Sequence, residues 1–194
     1  MYPFTLAESV ETKIRTPWVR RQTGAVFSNS DILKRVHRGG MPGICFLRSE
    51  DERAFSWDQW LDTTCYRDIH QIKKITLDGD LARSILQVLA ALEDPILPNI
   101  SRRLNVDVRR VKKHLEALEI LMVVTSLSPL ATGIGKQRYY LFDSGLAAHF
   151  GASVEQQVLI WALNECAAQH EYFGLHLRLK YYRTPRGSQV DFVF

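Results

Sequence analysis

Asn99-Ile-Ser-Arg-Arg-Leu-Asn-Val-Asp107-Val-Arg-Arg-Val-Lys-Lys-His-Leu-Glu-Ala-Leu118 decides how the middle of this chain reads. Ile100 and Leu104 stand one helical turn apart, and Asn99 can cap their short helix. Asn105-Val106 makes a tight turn, after which Asp107 offers a side-chain oxygen to the first free N–H groups of a second helix. On that second helix Val108, Val111, Leu115, Leu118 and Met122 share one inner stripe. Arg109, Arg110, Lys112 and Lys113 point away from it. Two helices joined by a short polar turn, the second apolar inward and basic outward, form the helix-turn-helix pattern.

Upstream, Asp80 to Leu92 places Leu81, Ile85, Leu89 and Leu92 on one face, with Asp78 and Asp80 where a helix N-terminus favours acids. Glu93-Asp94-Pro95 ends that helix. Downstream, Leu121 to Leu127 is short and β-branched, as a strand is. Ser128 to Gln137, with Pro129, Gly133 and Gly135, is a loop, and Arg138 to Phe142 returns as a second strand. The spacing predicts a winged helix-turn-helix within a mixed α+β, mainly helical chain. Lys136 and Arg138 flank the expected hairpin tip, where a wing touches phosphates. Such a domain reads as binding duplex DNA or as a module for protein contact or self-association, and the residues leave both open. Gly133-Ile-Gly135-Lys136 is no phosphate loop: Leu130 stands where the first Gly belongs, Gln137 where Ser or Thr does, and a strand follows.

The chain has 194 residues, 46% hydrophobic and 24% charged, an ordinary globular balance. Lys plus Arg number 25 against 21 Asp plus Glu, a net +4 that is spread thinly over the whole. Arg102, Arg103, Arg109, Arg110, Lys112 and Lys113 nevertheless fall within twelve residues, opposed there only by Asp107. Such a cluster can steer a polyanion, although charge runs are also ordinary solvated helix faces. Three separated cysteines, Cys45, Cys65 and Cys166, fit neither a disulfide scaffold nor a zinc ribbon and favour a reducing compartment. With no long apolar span and no basic, then apolar, leader, the expectation is a cytoplasmic protein without a membrane partner. The six histidines show no metal-ligand spacing and no nucleophile beside them, so no metal site is expected.

Outside the middle, Gly39, Gly40 and Gly43 with Pro42 read as a rigid turn that stops a helix. Trp57, Trp60 and Tyr66 read as core anchors at helical spacing, and Arg67-Asp68 as a structural ion pair. Glu155 to about Gln169 reads as an amphipathic helix. Leu175, Leu177, Leu179 and Tyr181 alternate with polar residues as a strand does. Pro185-Arg-Gly187 is a turn into a partner strand with Val190, Phe192 and Phe194 on one face and Asp191 on the other.

Several blocks spread over nearly the whole chain resemble the C-terminal part of prokaryotic AAA-type ATPases of the archaeal-type superfamily, which carry a domain of unknown function after the ATPase core. They are Pro3-Phe-Thr-Leu-Ala-Glu8, Arg38-Gly-Gly-Met-Pro-Gly43, Trp60 to Ile69, Asn99 to Leu118, Tyr139 to Leu146, Val154 to Val158 and Tyr181 to Phe192. The resemblance implies a helical, lid-like region at 1–75, a winged helix at 76–147 and a truncated, restriction-endonuclease-like segment at 148–194. For that last segment it implies an inward Glu155 and Asp191 as the remnant of a carboxylate set holding Mg²⁺. The family's later E-x-K is absent, and Gln189 stands where the family has Glu. No Walker motif is present, so ATP and Mg²⁺ belong to the intact family and not to these residues. The expectation is a non-catalytic fragment of such an AAA-type protein, or an inactive truncated remnant of one, with no cofactor of its own.

Overall fold

The computed structural model describes residues 2–9, 28–72, 77–174 and 178–193. Its first part is helical: α1 (Leu6–Ser9), α2 (Asn29–Arg38), α3 (Glu50–Thr63), a π-helical turn at Thr64–Asp68 and α4 (Ile69–Ile72). The hydroxyls of Ser28 and Ser49 cap α2 and α3 by accepting from the N–H groups of Asp31 and Glu52. Trp57 and Leu61 on α3, with Cys65 and Ile69 beyond it, face the interior. Tyr66, expected among them, is instead 47% exposed and donates to Asp80 at 2.6 Å. Arg67 and Asp68 pair at 2.8 Å, but at the surface.

α5 (Gly79–Ala91), α6 (Leu97–Leu104) and α7 (Val108–Ile120) follow. The α5 stripe is as expected, with Leu81, Ile85 and Leu89 buried and Asp78 accepting from the Leu81 N–H. α6 starts earlier than Asn99 would have it. Its N-cap is Ile96, with Pro98 in the first turn, where its missing N–H costs no helical bond. The Asn99 side chain reaches back to the carbonyl of Asp94 at 3.0 Å. On α7, Val111, Leu115 and Leu118 are buried, joined by Ala117 and His114. Val108 and Met122, expected inside, are 43% and 46% exposed. Met122 lies past the helix end in the left-handed region at φ 58°, so the stripe stops with the helix.

Four strands form one sheet in the order β2-β1-β3-β4: β1 (Val124–Pro129), β2 (Arg138–Leu141), β3 (Lys180–Arg183) and β4 (Gln189–Val193). β1 and β2 are the expected hairpin, pairing antiparallel from Val124 with Leu141 to Leu127 with Arg138. The outer edge of β2 is covered, because Tyr139 N–H donates to the Pro95 carbonyl and Ile96 bridges to Arg138. β3 and β4 are the expected C-terminal hairpin, joined with a bulge between Lys180 and Tyr182. The strand expectation at Leu175 and Leu177 lies outside the described residues, as does Phe194. Of the residues expected to share one face of the last strand, Val190 is 50% exposed while Phe192 packs on the core.

α8 (Ser144–His149) and α9 (Val154–Tyr172) connect β2 to β3, a crossover that lets β3 lie parallel to β1, Ser128 opposite Lys180. Buried residues from Ile44 to Tyr181 make a single apolar cluster across the segments expected at 1–75, 76–147 and 148–194. Asp143, fully buried at the α8 N-terminus, pins the first segment to the second. It accepts from the N–H groups of Gly145 at 2.6 Å, Leu146 at 3.2 Å and Gly40 at 2.9 Å.

Candidate nucleic-acid interface

Three residues separate α6 from α7. Asn105 takes the left-handed conformation, φ 53° and ψ 43°, which asparagine tolerates better than most residues. The Val106 N–H returns to the Ser101 carbonyl, and the Ser101 hydroxyl donates to the Val106 carbonyl at 2.6 Å, closing the turn from both sides. Asp107 Oδ1 accepts from the N–H groups of Arg109 at 2.9 Å and Arg110 at 3.2 Å. The cap fixes where the helix begins and hence which side chains face outward.

Beneath α7, His114 is buried and fully engaged. Its Nε2 accepts from the Asp78 N–H at 2.9 Å, which leaves Nδ1 as the donor to the Arg110 carbonyl at 2.8 Å. One imidazole thus ties the start of α5 to α7, a role that the helical pattern alone did not reveal. Arg110 adds an ion pair to Asp78 at 2.6 Å on the surface above it.

Arg102, Arg103, Arg109, Arg110, Lys112 and Lys113 are all exposed. Arg110 is engaged by Asp78, and Arg102 donates to Asn99 at 3.4 Å. Arg103, Arg109, Lys112 and Lys113 have no acidic partner among the described residues. α7 holds three of them on one outward face.

The hairpin loop is anchored more firmly than its composition suggests. Leu130 N–H donates to the Tyr181 carbonyl and Ile134 N–H to that of Arg183, at 2.8 and 3.0 Å. The Tyr181 hydroxyl donates to the Lys136 carbonyl at 2.6 Å. Lys136 itself is exposed.

Arg138 is the correction. Expected at the tip, it is buried, its side chain only 4% exposed. Its Nε donates to Asp94 at 3.0 Å, a terminal nitrogen donates to Gln189 at 2.8 Å, and the guanidinium lies 4.3 Å from the Tyr181 ring centre. Planar, donating to two separate partners and stacked on a ring, it is used here as an internal brace that joins the α5–α6 connection to the last hairpin. A strand-initial Arg beside a loop looks exposed in sequence because Asp94 and Gln189 are distant along the chain.

Glu155 and Asp191 do not form the inward carboxylate set. Glu155 is exposed in the first turn of α9, its acidity raised by its own backbone N–H and the Ser153 hydroxyl. Asp191 is half-buried on the edge strand β4 and accepts from the Gln189 amide. Among the described residues no group of three or more His, Cys, Asp or Glu side chains converges to hold a metal ion. No helix among them is long and apolar enough to cross a membrane.

Two uncharacterized mycobacterial proteins are similar to this chain: Rv2008c of Mycobacterium tuberculosis and Mb2031c of Mycobacterium bovis. Each is 25% identical over 169 residues, covering 79% of this chain and 38% of the relative. The chain thus spans well under half the length of these curated relatives. Residues 29–157, which include α2 through the start of α9, match the family described as Domain of unknown function (DUF8612). The chain belongs to that family.

Proposed function

We propose that α5 to β2 act as a winged helix that binds duplex DNA without catalysis, with α7 against the phosphates and the 130–137 loop as its wing. Four exposed cations without acidic partners among the described residues, Arg103, Arg109, Lys112 and Lys113, carry this reading. Lys136 adds a fifth from the loop, whose Lys136 carbonyl is held by the Tyr181 hydroxyl. Lys and Arg placed this way release condensed counterions as they neutralise phosphates. With about four phosphates met, log K falls against log salt with a slope near −3.6. Titrating a labelled duplex over a series of salt concentrations tests this. A flat response, or no binding at low salt, overturns it.

A second reading rests on apolar exposure. Val108 and Ile120, at the two ends of α7, and Ile134 on the loop are 43%, 59% and 49% exposed. They favour a protein-contact or self-association module, which in the context of the AAA-type resemblance would couple to an ATPase core. Charge reversal at Arg109 separates the readings: the first predicts weaker duplex binding, the second unchanged duplex binding with altered association.

The AAA-type context is itself part of the proposal, supported by the order of the sequence blocks. Two of those blocks, the Arg38 to Gly43 turn and Tyr139 to Leu146, meet through Asp143.

A further inference from the structure

A second cationic site lies away from the α7 residues. A cavity of about 370 Å³ opens between α2, the 45–48 segment and α9. That is within the roughly 300–1,000 Å³ range of small-molecule sites. Lys34, Arg35 and Arg38 line it from α2, where spacings of one, three and four residues put them on one face. Arg48 lines it too. Among the described lining residues one acid, Asp31, stands with these four cations, and it already accepts from the Ser28 hydroxyl at 2.5 Å. Lys34, Arg38 and Arg48 are exposed and have no ion-pair partner among the described residues.

The same cavity is walled by aromatic rings. Phe4 and Phe46 pack at 5.7 Å between centres, and Trp161 of α9 also lines the cavity. Phe46 is 61% exposed, so its ring face is open to the cavity mouth. Cations alone would suit any polyanion. Cations beside open aromatic faces suit a planar base that carries phosphate, because the ring stacks the base while guanidinium and ammonium groups take the charge.

We propose that this cavity binds a nucleotide unit, base on Phe46 and Trp161 and phosphate on Lys34, Arg38 and Arg48, from either a free nucleotide or a single strand. The test uses the whole chain with two probes, a labelled short oligo-dT strand and AMP, each titrated directly. Phe46→Ala is expected to weaken binding about 5- to 150-fold, the effect of losing one base–aromatic stack. The double variant Lys34→Glu with Arg38→Glu is expected to abolish it, whereas Arg109→Glu with Lys113→Glu leaves AMP binding intact. All four side chains changed on α2 and α7 are exposed, and unaltered thermal melting shows each variant is folded. Oligo-dT binding that AMP does not displace assigns the site to a strand, and AMP binding alone assigns it to a free nucleotide. Equal affinity of wild type and Phe46→Ala for both probes overturns the proposal, as does the absence of binding by either at low salt.

Discussion

Gly39 stands so close to Asp143 that a Cβ on the glycine would meet Oδ1 of the carboxylate at 2.0 Å and the Gly145 nitrogen at 2.6 Å. Gly39 also has φ 74° and ψ −167°, a backbone region that is essentially glycine's alone. The turn after α2 and the start of α8 are therefore fitted to each other at main-chain distance. Gly145 approaches from the other side, where an added Cβ would meet the Arg38 carbonyl at 2.3 Å.

Gly39→Ala is accordingly expected to destabilise far more than Gly43→Ala. Gly43 also has a positive φ, 85°, but nothing lies within 4 Å of its Cβ position. Its substitution costs the left-handed backbone penalty, about 1–2 kcal/mol. Gly39→Ala adds the overpacking penalty, about 1–3 kcal/mol more. Urea unfolding of the two variants side by side measures the difference, and equal costs would refute the interlock.

Burial pushes the Asp143 carboxyl up to about 6 from its ordinary 3.8, against the opposing pull of N–H groups from Gly40, Leu146, Gly145 and Met41. The folded chain thus holds this proton more tightly than the unfolded chain does. Stability from the group is full below about pH 3.8 and is lost as pH rises through about 6. Asp143→Asn removes that titration. Relative to the variant, wild type should gain about 3 kcal/mol between neutral pH and about pH 3. A difference that does not vary with pH would contradict the raised value.

Lys113→Ala tests the α7 reading with little risk to the fold, since the side chain is exposed and lacks an acidic partner among the described residues. The expected outcome is an unchanged melting temperature and a salt slope for duplex binding shallower by about 0.9. An unchanged slope would remove Lys113 from the phosphate contacts.

Tyr181→Phe deletes the hydroxyl that holds the Lys136 carbonyl but keeps the ring under Arg138. The cost in global stability is small, about 0.5–1.5 kcal/mol. The loop should nevertheless open locally, and trypsin should cut after Lys136 faster than in wild type. Equal cleavage rates would mean that the backbone bonds of Leu130 and Ile134 suffice.

Local chemistry was readable where neighbours in sequence are neighbours in space. The α5 stripe, the Asp107 cap, the outward cations of α7 and both hairpins follow from periodicity and turn residues. Asn99 misled because Pro98 already supplied a better first turn and left the amide to reach Asp94. Tyr66 misled because helical spacing continued into a π-helical turn, which rotates the residues that follow. Arg138 and Asp143 were illegible for another reason. Their partners Asp94, Gln189 and Gly40 come from distant segments, and a single charged residue carries no mark of whether it meets water or a buried partner. Glu155 stayed outside, exposed in the first turn of α9 just after the Ser153 cap.

The parallel join of β1 to β3 imposes an order of assembly. A hairpin of β1 and β2 can form as soon as both strands exist, but its other edge waits for the α8–α9 crossover to deliver Lys180 to Ser128. Distant pairings of this kind form slowly, and until then the free edge of β1 offers itself to other chains. In the folded chain the last hairpin seals that edge and, through Tyr181 and Arg183, holds the loop. Refolding should be slow and prone to aggregation at high protein concentration, most of all when β3 and β4 are weakened.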